Sequence, residues 1–257
     1  MRTKPLARPL VVAACAALLA APVHAGEPAR PPVLKALETQ GLTVIQEFNV
    51  ADGLRGFAGA IQERPVAIYV TPDGTAIVGT RVDVEGRPID AATLQDLVAK
   101  PMGKKVWSQL SESSWVLDGR SEAPRIVYTF SDANCPYCHQ FWEASRPWVE
   151  AGKVQLRHIL VGVIRDDSPA KAAAILRAPD PSAALQKNEQ RFDQGGIEPA
   201  SEVPDDVLEV LARNQMLMVS TGFRGTPGIV VREEDGTVKK FRGMPQGDQL
   251  NEVLGPR

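Results

Sequence analysis

Arg125-Ile126-Val127-Tyr128-Thr129-Phe130 and, five residues on, Cys135-Pro136-Tyr137-Cys138 are the stretch from which the rest of this chain is read. The first run is dominated by β-branched and aromatic residues without regular polar alternation, as a strand buried on both faces requires. After it, Phe141, Trp142, Ser145 and Val149 share one face with Cys138 at helical spacing, which predicts a helix from about Pro136 to Glu150. Pro136 suits a first turn, where a missing N–H costs nothing, whereas Pro147 should kink or end that helix. Val154–Val161 reads as the next strand. Strand, helix and strand together have the size of one right-handed βαβ unit.

Downstream, Ser168-Pro169 starts a helical stretch in the N-cap/N1 manner. Helical patterns continue near 182–194 and 204–219. Then come a strand Gly228–Arg232, the turn Glu234-Asp235-Gly236, a strand Val238–Phe241 and a last helix near 248–254. The order β-α-β, helical insert, β-β-α is that of a thioredoxin fold with helices inserted in the middle. Upstream, Pro32–Gln40 reads as a short helix with Gly41 as its C-cap, and Leu42–Phe48, Leu54–Ile61, Val66–Val70 and Thr75–Val82 read as strands. Thr71-Pro72-Asp73-Gly74 is a strong turn signal between the last two. The fold class is therefore α+β: a small α+β unit (26–92), a linker helix (93–114) and a second domain (115–257). The helical pattern runs from Ala91 to about Ser113, with a hinge-like break where Pro101 and Gly103 interrupt it. A unit of about 65 residues is marginal alone, so the first needs another surface, such as a second copy of itself.

The N-terminus reads as an export signal. Arg2, Lys4 and Arg8 precede an unbroken apolar run, Leu10–Ala21, and Val23-His24-Ala25 is a small-x-small cleavage site before Gly26. The run is too short for a transmembrane helix, which takes roughly 20 residues. A lipoprotein site at Val12-Ala13-Ala14-Cys15 would leave almost no apolar stretch before the cysteine. Removing residues 1–25 moves the formal net charge from −2 to −5 and leaves Cys135 and Cys138 as the two cysteines of the mature chain. No basic stripe interleaved with aromatics is present, which argues against nucleic acid as a partner.

A Cys135-Pro136-Tyr137-Cys138 pair at the start of a helix sits where free N–H groups and the positive end of the helix dipole favour a thiolate. The Cys135 pKa should thus fall below the roughly 8.5 of a free cysteine. Cys138, a turn deeper, is placed to resolve what Cys135 attacks. As a structural disulfide the pair would close too short a loop to stabilise by more than about 2 kcal/mol. A zinc site could add only His139 and His158, at poor spacing, so no metal and no cofactor is expected. Cys135-x-x-Cys138-His139 also satisfies the c-type haem pattern; against it stand the buried strand in front and a Thr226-Pro227 step with no role in a cytochrome. His139 and Asp132 read as an exposed helical histidine and a turn aspartate, and His158 as a satisfied core histidine.

Beyond these features, Trp115-Val116-Leu117-Asp118-Gly119, Gln140-Phe141-Trp142, Arg146-Pro147-Trp148-Val149, Gly152-Lys153-Val154-Gln155-Leu156-Arg157 and Leu160-Val161-Gly162-Val163-Ile164 resemble the DsbC/DsbG family of bacterial periplasmic thiol:disulfide interchange proteins. Pro136 between the cysteines favours the DsbG-like branch over the DsbC-like one, where glycine is usual. The resemblance implies a homodimer joined through cystatin-like N-terminal domains, with linker helices leading to thioredoxin-fold catalytic domains. It implies that Cys135 and Cys138 are catalytic and that Thr226 and Pro227 form a cis-Pro loop binding substrate as an added strand. Its implied partners are exported proteins with disulfides or oxidised cysteines and a membrane reductase of the DsbD type. Isomerisation, reduction of sulfenic acids and chaperone-like behaviour are the activities it suggests, in the periplasm. A redox-independent holdase and a DsbA-like oxidase are the competing functions. Six residues before Cys135, where thioredoxin carries a buried acid, this chain has Thr129, so a different route must take up the Cys138 proton.

Overall fold

In the computed structural model, which describes residues 29–51 and 53–256, two sheets are joined by one long helical segment. The export signal and Cys15 lie outside the described residues. Among the described residues no helix is long and apolar enough to cross a membrane.

The first sheet is an antiparallel meander of β1 (Leu42–Phe48), β2 (Arg55–Ile61), β3 (Arg64–Val70) and β4 (Ala76–Gly79), preceded by α1 (Pro32–Thr39). Alternation assigns its faces. Leu42, Phe57, Ile68 and Val70 pack under Leu34 of α1. Ala58 and Ala60 point the other way, against Leu94, Leu97, Val98 and Met102. The second covering surface that a unit this small requires is thus supplied within the chain, by the linker. β2 and β3 are joined by Gln62-Glu63, both at positive φ (48° and 65°), a tight hairpin turn made without the glycine or asparagine that would announce it. From its tip Glu63 reaches Lys240 of the second domain at 2.5 Å.

The linker corrects the expected hinge. Helix α2 (Ala91–Leu94) passes through a π-helical turn, Gln95–Ala99, straight into α3 (Lys100–Glu112). Pro101 falls in the first turn of α3 because the π turn before it absorbs the register change that a proline forces. Gly103 does not break the helix either. It lets α3 approach the backbone of Gly236 and Val238, which an added Cβ would meet at 3.2 Å. Val106 and Leu110, further along the helix, are buried with Tyr128, Phe130 and Val230. One helix therefore covers the first sheet with one half and enters the core of the second domain with the other.

The second sheet has the order β5 (Val116–Asp118), β7 (Val154–Leu160), β6 (Arg125–Ser131), β8 (Gly228–Arg232), β9 (Val238–Arg242), with β6 and β7 parallel and the other pairs antiparallel. Helix α4 (Pro136–Glu150) makes the crossover between β6 and β7. It runs past Pro147, which sits in its last turn and neither breaks nor ends it. Val127 and Leu156 face α4 and α8 (Asp248–Leu254), beside Phe141, Trp148 and Val253. The opposite face, with Tyr128, Phe130 and Ile159, packs on α3 and on Met218 of α7 (Asp205–Ser220). The inserted helices α5 (Ser168–Leu176), α6 (Pro181–Gln190) and α7 form a further core around Leu160, Ile175, Leu185 and Leu211. Ser168 is not the N-cap that its sequence setting suggests: it is the first helical residue, after Asp167, and its hydroxyl is used elsewhere.

Gly228, the first residue of β8, follows the Thr226-Pro227 step directly. A Cβ there would lie 2.7 Å from the ring of Phe223, which is fully buried against Phe130. Gly228→Ala should cost about 1–3 kcal/mol and lower the thermal midpoint by several degrees; an unchanged midpoint would show that the ring has room to move.

Candidate functional site

Cys135 ends the β6–α4 loop in an extended conformation and caps α4 with its own sulfur: Sγ accepts the Cys138 backbone N–H at 3.2 Å. The same sulfur lies 3.5 Å from the carbonyl oxygen of Thr226, and the Thr226-Pro227 peptide bond is cis. The loop before β8 and the start of α4 therefore meet at the sulfur, at one end of the sheet. Both thiols are free. Solvent exposure does not separate them, at 2% for Cys135 and 4% for Cys138, but acidity does. The neighbouring Cys138 thiol, above all, holds the Cys135 pKa at about 7 despite burial, helped by Thr226 and the backbone N–H groups of Cys138 and Tyr137. Burial pushes Cys138 well above the ordinary range, and the Cys135 thiolate beside it adds to the rise. Of the other two motif residues, Pro136 opens the helix, and Tyr137 is exposed beside the pair.

Buried polar contacts hold the loop in front of Cys135. Asp132 is a turn aspartate, but not an exposed one. Its carboxylate accepts from Asn134 N (2.9 Å), Ser168 Oγ (2.7 Å), Val163 N (2.7 Å) and Ile164 N (3.1 Å). Four donors offset the charge that would otherwise oppose a thiolate nearby. Asn134 in turn donates to Asp167 and Ser168 and accepts from the buried Lys171 (2.7 Å), whose ammonium also donates to the Gly195 carbonyl. Asn188 of α6 donates to Ala133 O at 3.1 Å. The helical insert thus grips the cysteine loop at every residue from Asp132 to Asn134.

Two histidines depart from expectation. His139 is half-buried, with Nδ1 3.0 Å from the buried Glu189 and its ring stacked 4.4 Å from Phe192. Burial pushes the Glu189 carboxyl up, against the pull of His139. His158 is buried on β7 but not satisfied. Nδ1 pairs with Ser131 Oγ at 3.1 Å, while Nε2 has no hydrogen-bond partner among the described residues and lies 3.7 Å from Asp118 Oδ2. Asp118, fully buried, receives both arms of the Arg146 guanidinium. Thr129 Oγ1 continues the chain, 3.3 Å from Ser131 Oγ. Among the described residues no three His, Cys, Asp or Glu side chains gather to hold a metal ion.

Sequence reasoning placed Cys135, Cys138, Thr226 and Pro227, and the fold brings all four together. It missed Asp118, Ser131, Asn134, Lys171 and Glu189 as members of the buried polar contacts around the cysteine loop and α4. Their distant partners lie 24 to 50 residues away in the chain (Gly195 for Lys171, His139 for Glu189), and the one local signal was the Asp167/Lys171 spacing of four at the start of α5.

Comparison with known proteins follows the same lines. A thioredoxin-like domain family model matches residues 119–255. The thiol:disulfide interchange protein DsbG of Pseudomonas aeruginosa is 44% identical over 228 residues, covering 88% of this chain and 89% of that protein. The Escherichia coli protein of the same name is 40% identical over 226 residues, 88% of this chain and 91% of that one. Among solved structures, the catalytic domain of Proteus mirabilis ScsC superposes with a TM-score of 0.50 at 22% identity, over 60% of this chain and 96% of that one, a likeness of fold alone.

Burial raises the Asp118 carboxyl, but His158 and Arg146 outweigh it and hold its pKa at about 2. A folded pKa below the unfolded value of roughly 3.9 contributes stability that is present above about pH 4 and is lost as pH falls toward 2, some 2 kcal/mol in all. Denaturant unfolding between pH 7 and 2 should show this loss, and Asp118→Asn should remove that part of the dependence. An unaltered acid limb in the variant would mean that Asp118 is not its source.

Proposed function

This chain belongs to the DsbG family of thiol:disulfide interchange proteins, and from that premise we propose that Cys135 is its attacking thiol, Cys138 its resolving thiol, and the Thr226-Pro227 loop its substrate-pairing strand. The observation that carries the assignment is the capped sulfur: Cys135 Sγ accepts the Cys138 N–H in the first turn of α4 and faces the Thr226 carbonyl, with a pKa of about 7. Near neutral pH about half of it is thiolate, against a few per cent for a free cysteine.

The thiolate attacks one sulfur of a substrate disulfide and expels the other as a thiolate, leaving a mixed disulfide on Cys135. With a sulfenic acid the same attack forms the mixed disulfide and releases the oxygen as hydroxide, which takes a proton to become water. Cys138 then attacks Cys135 Sγ. The Cys135–Cys138 disulfide forms, the substrate leaves with two more electrons than it brought, and the pair must be reduced again by an outside dithiol. A membrane reductase of the DsbD type is the donor this reading assigns. When a substrate thiol releases Cys135 instead, the net result is isomerisation and no reductant is consumed.

The site of action is the periplasm, reached through the signal at residues 1–25, and the substrates are exported proteins with disulfides or oxidised cysteines. Assembly as a homodimer through the unit at 26–92 is supported by the edge strand β4, which leaves Ile77 and Val78 exposed. The linker at 93–114 and the catalytic domain at 115–257 complete the organisation. Suppression of aggregation that survives Cys135→Ser would mark a separate chaperone activity.

Cys138→Ser should accumulate mixed disulfides with exported proteins, visible on non-reducing gels and released by reductant, whereas Cys135→Ser should accumulate none. Equal trapping by both variants, or by neither, would overturn the assignment of roles.

A further inference from the structure

The loop that carries Thr226 runs from Gly222 to Pro227, and both of its ends are tied to the end of β9. The Arg242 guanidinium donates to the Gly222 carbonyl through Nε (3.3 Å) and Nη2 (3.2 Å), and the Gly243 N–H donates to the Pro227 carbonyl at 2.9 Å. The placement of the substrate-pairing loop thus depends on where β9 ends. Lys240, two residues back, shares the Arg242 face of that strand. Its side chain is 17% exposed, and its ammonium finds its partner in the other domain, donating to the Glu63 carboxylate at 2.5 Å. Glu63 also reaches the loop directly. A Cβ added at Gly222 would lie 3.5 Å from Glu63 Oε2 and 3.6 Å from Arg242 Nη2. Glu63, Lys240, Arg242 and Gly222 therefore form one cluster, to which the N-terminal unit contributes the single carboxylate.

We propose that Glu63 is a positioning residue for substrate binding: from the N-terminal domain it holds Lys240, and with it the end of β9, so that the loop from Gly222 to Pro227 presents Thr226 to an extended polypeptide. The inference rests on the substrate-pairing role proposed above and deepens it. The ligand is a stretch of extended chain that carries an oxidised cysteine, and the unit at 26–92 takes part in its recognition. Glu63 touches neither the substrate nor the reacting sulfurs; it acts through Lys240 and Gly222.

Its setting separates this contact from an incidental surface ion pair. Gln62 and Glu63 both take left-handed φ values, 48° and 65°, which glycine would meet without strain. A strained tip of this kind persists where its surroundings fix it, and here the tip is what delivers the carboxylate to Lys240. The contact is also not solitary. Gln95 donates to Asp235 at 2.5 Å, and α3 lies at Gly103 against the backbone of Gly236 and Val238. The N-terminal half of the chain thus meets the β8–β9 hairpin at its turn as well as along its second strand. An ion pair whose carboxylate is 39% exposed adds little to stability. What Glu63 sets is the position of the strand end, not the survival of the fold.

The test follows the colour released when the reduced full-length mature protein attacks a peptide whose one cysteine is joined to 5-thio-2-nitrobenzoate as a mixed disulfide. Cys135 bonds to the peptide sulfur and the nitrobenzoate leaves as its coloured thiolate, so no other reactant is needed. Against peptide concentration, half-saturation reports pairing with the loop and the limiting rate reports attack. Glu63→Lys and Lys240→Glu should each raise the half-saturating concentration by roughly five- to tenfold, with little change in limiting rate or thermal midpoint. The double variant, which rebuilds the pair in reverse, should bring it back to within about twofold of the unaltered protein. Glu63→Gln, which keeps the size and loses the charge, should act in the same direction and decides the matter if a reversed charge prevents folding. Unchanged half-saturation in all three single variants, or a double variant no better than the singles, would overturn the proposal. So would slowing by the same factor toward the peptide and toward the free aromatic disulfide 5,5′-dithiobis(2-nitrobenzoate). Two results in the unaltered protein would remove the reading underneath and the proposal with it: no colour from either reagent sinks the assignment of Cys135, and release that never saturates with peptide sinks the substrate-pairing loop.

Discussion

The hydrogen bond from the Cys138 backbone N–H to Cys135 Sγ is the constraint on which the site depends. It makes a sulfur the cap of α4, so the reactive atom is held by the backbone of a 15-residue helix rather than by a mobile loop. A capping atom that gains negative charge gains stability from the helix dipole and the free N–H groups around it. The thiolate is therefore favoured by the same bond that starts the helix. The helix in turn is held down by Phe141, Trp148 and Val149 in the core under the sheet. Core packing and thiol acidity are in this sense one design.

That cap must also face a partner, and the remaining elements see to it. The Thr226-Pro227 step brings a carbonyl to the sulfur from the start of β8. From the other side the helical insert reaches in with Ser168, Lys171 and Asn188, gripping the loop from Asp132 to Asn134. The two thiols then divide by acidity rather than by exposure. The capped sulfur is the acidic one, while burial and the neighbouring Cys135 hold the second sulfur well above the ordinary range. The linker helix adds a mechanical tie. Its second half, through Val106 and Leu110, belongs to the core of the second domain, and its first half carries the N-terminal sheet.

Much of this was legible in the chain itself. Strong periodicity announced α4 from Pro136 to Glu150 and α8 near 248–254, and the βαβ unit with its cysteines announced the domain fold. What could not be read was set by tertiary contacts. A π turn ahead of Pro101 has no local signature, so the linker looked broken where it is continuous. Pro147 falls close enough to the helix end to be tolerated. His139 looked exposed because its neighbours Glu189 and Phe192 come from the insert, about 50 residues on. Asp132 looked like an ordinary turn residue because three of its four donors come from 163 to 168. Buried polar networks are assembled from distant segments, and hydrophobic patterning carries no record of them.

The central claim, that the fold makes Cys135 a thiolate near neutral pH, is tested most directly by the ultraviolet thiolate band of the reduced mature protein as a function of pH, with Cys138→Ser run beside it. A titration centred near pH 7 that is lost in Cys135→Ser is the predicted result. A band rising only near the roughly 8.5 of a free cysteine would contradict it, and the pair would then have to be read as structural.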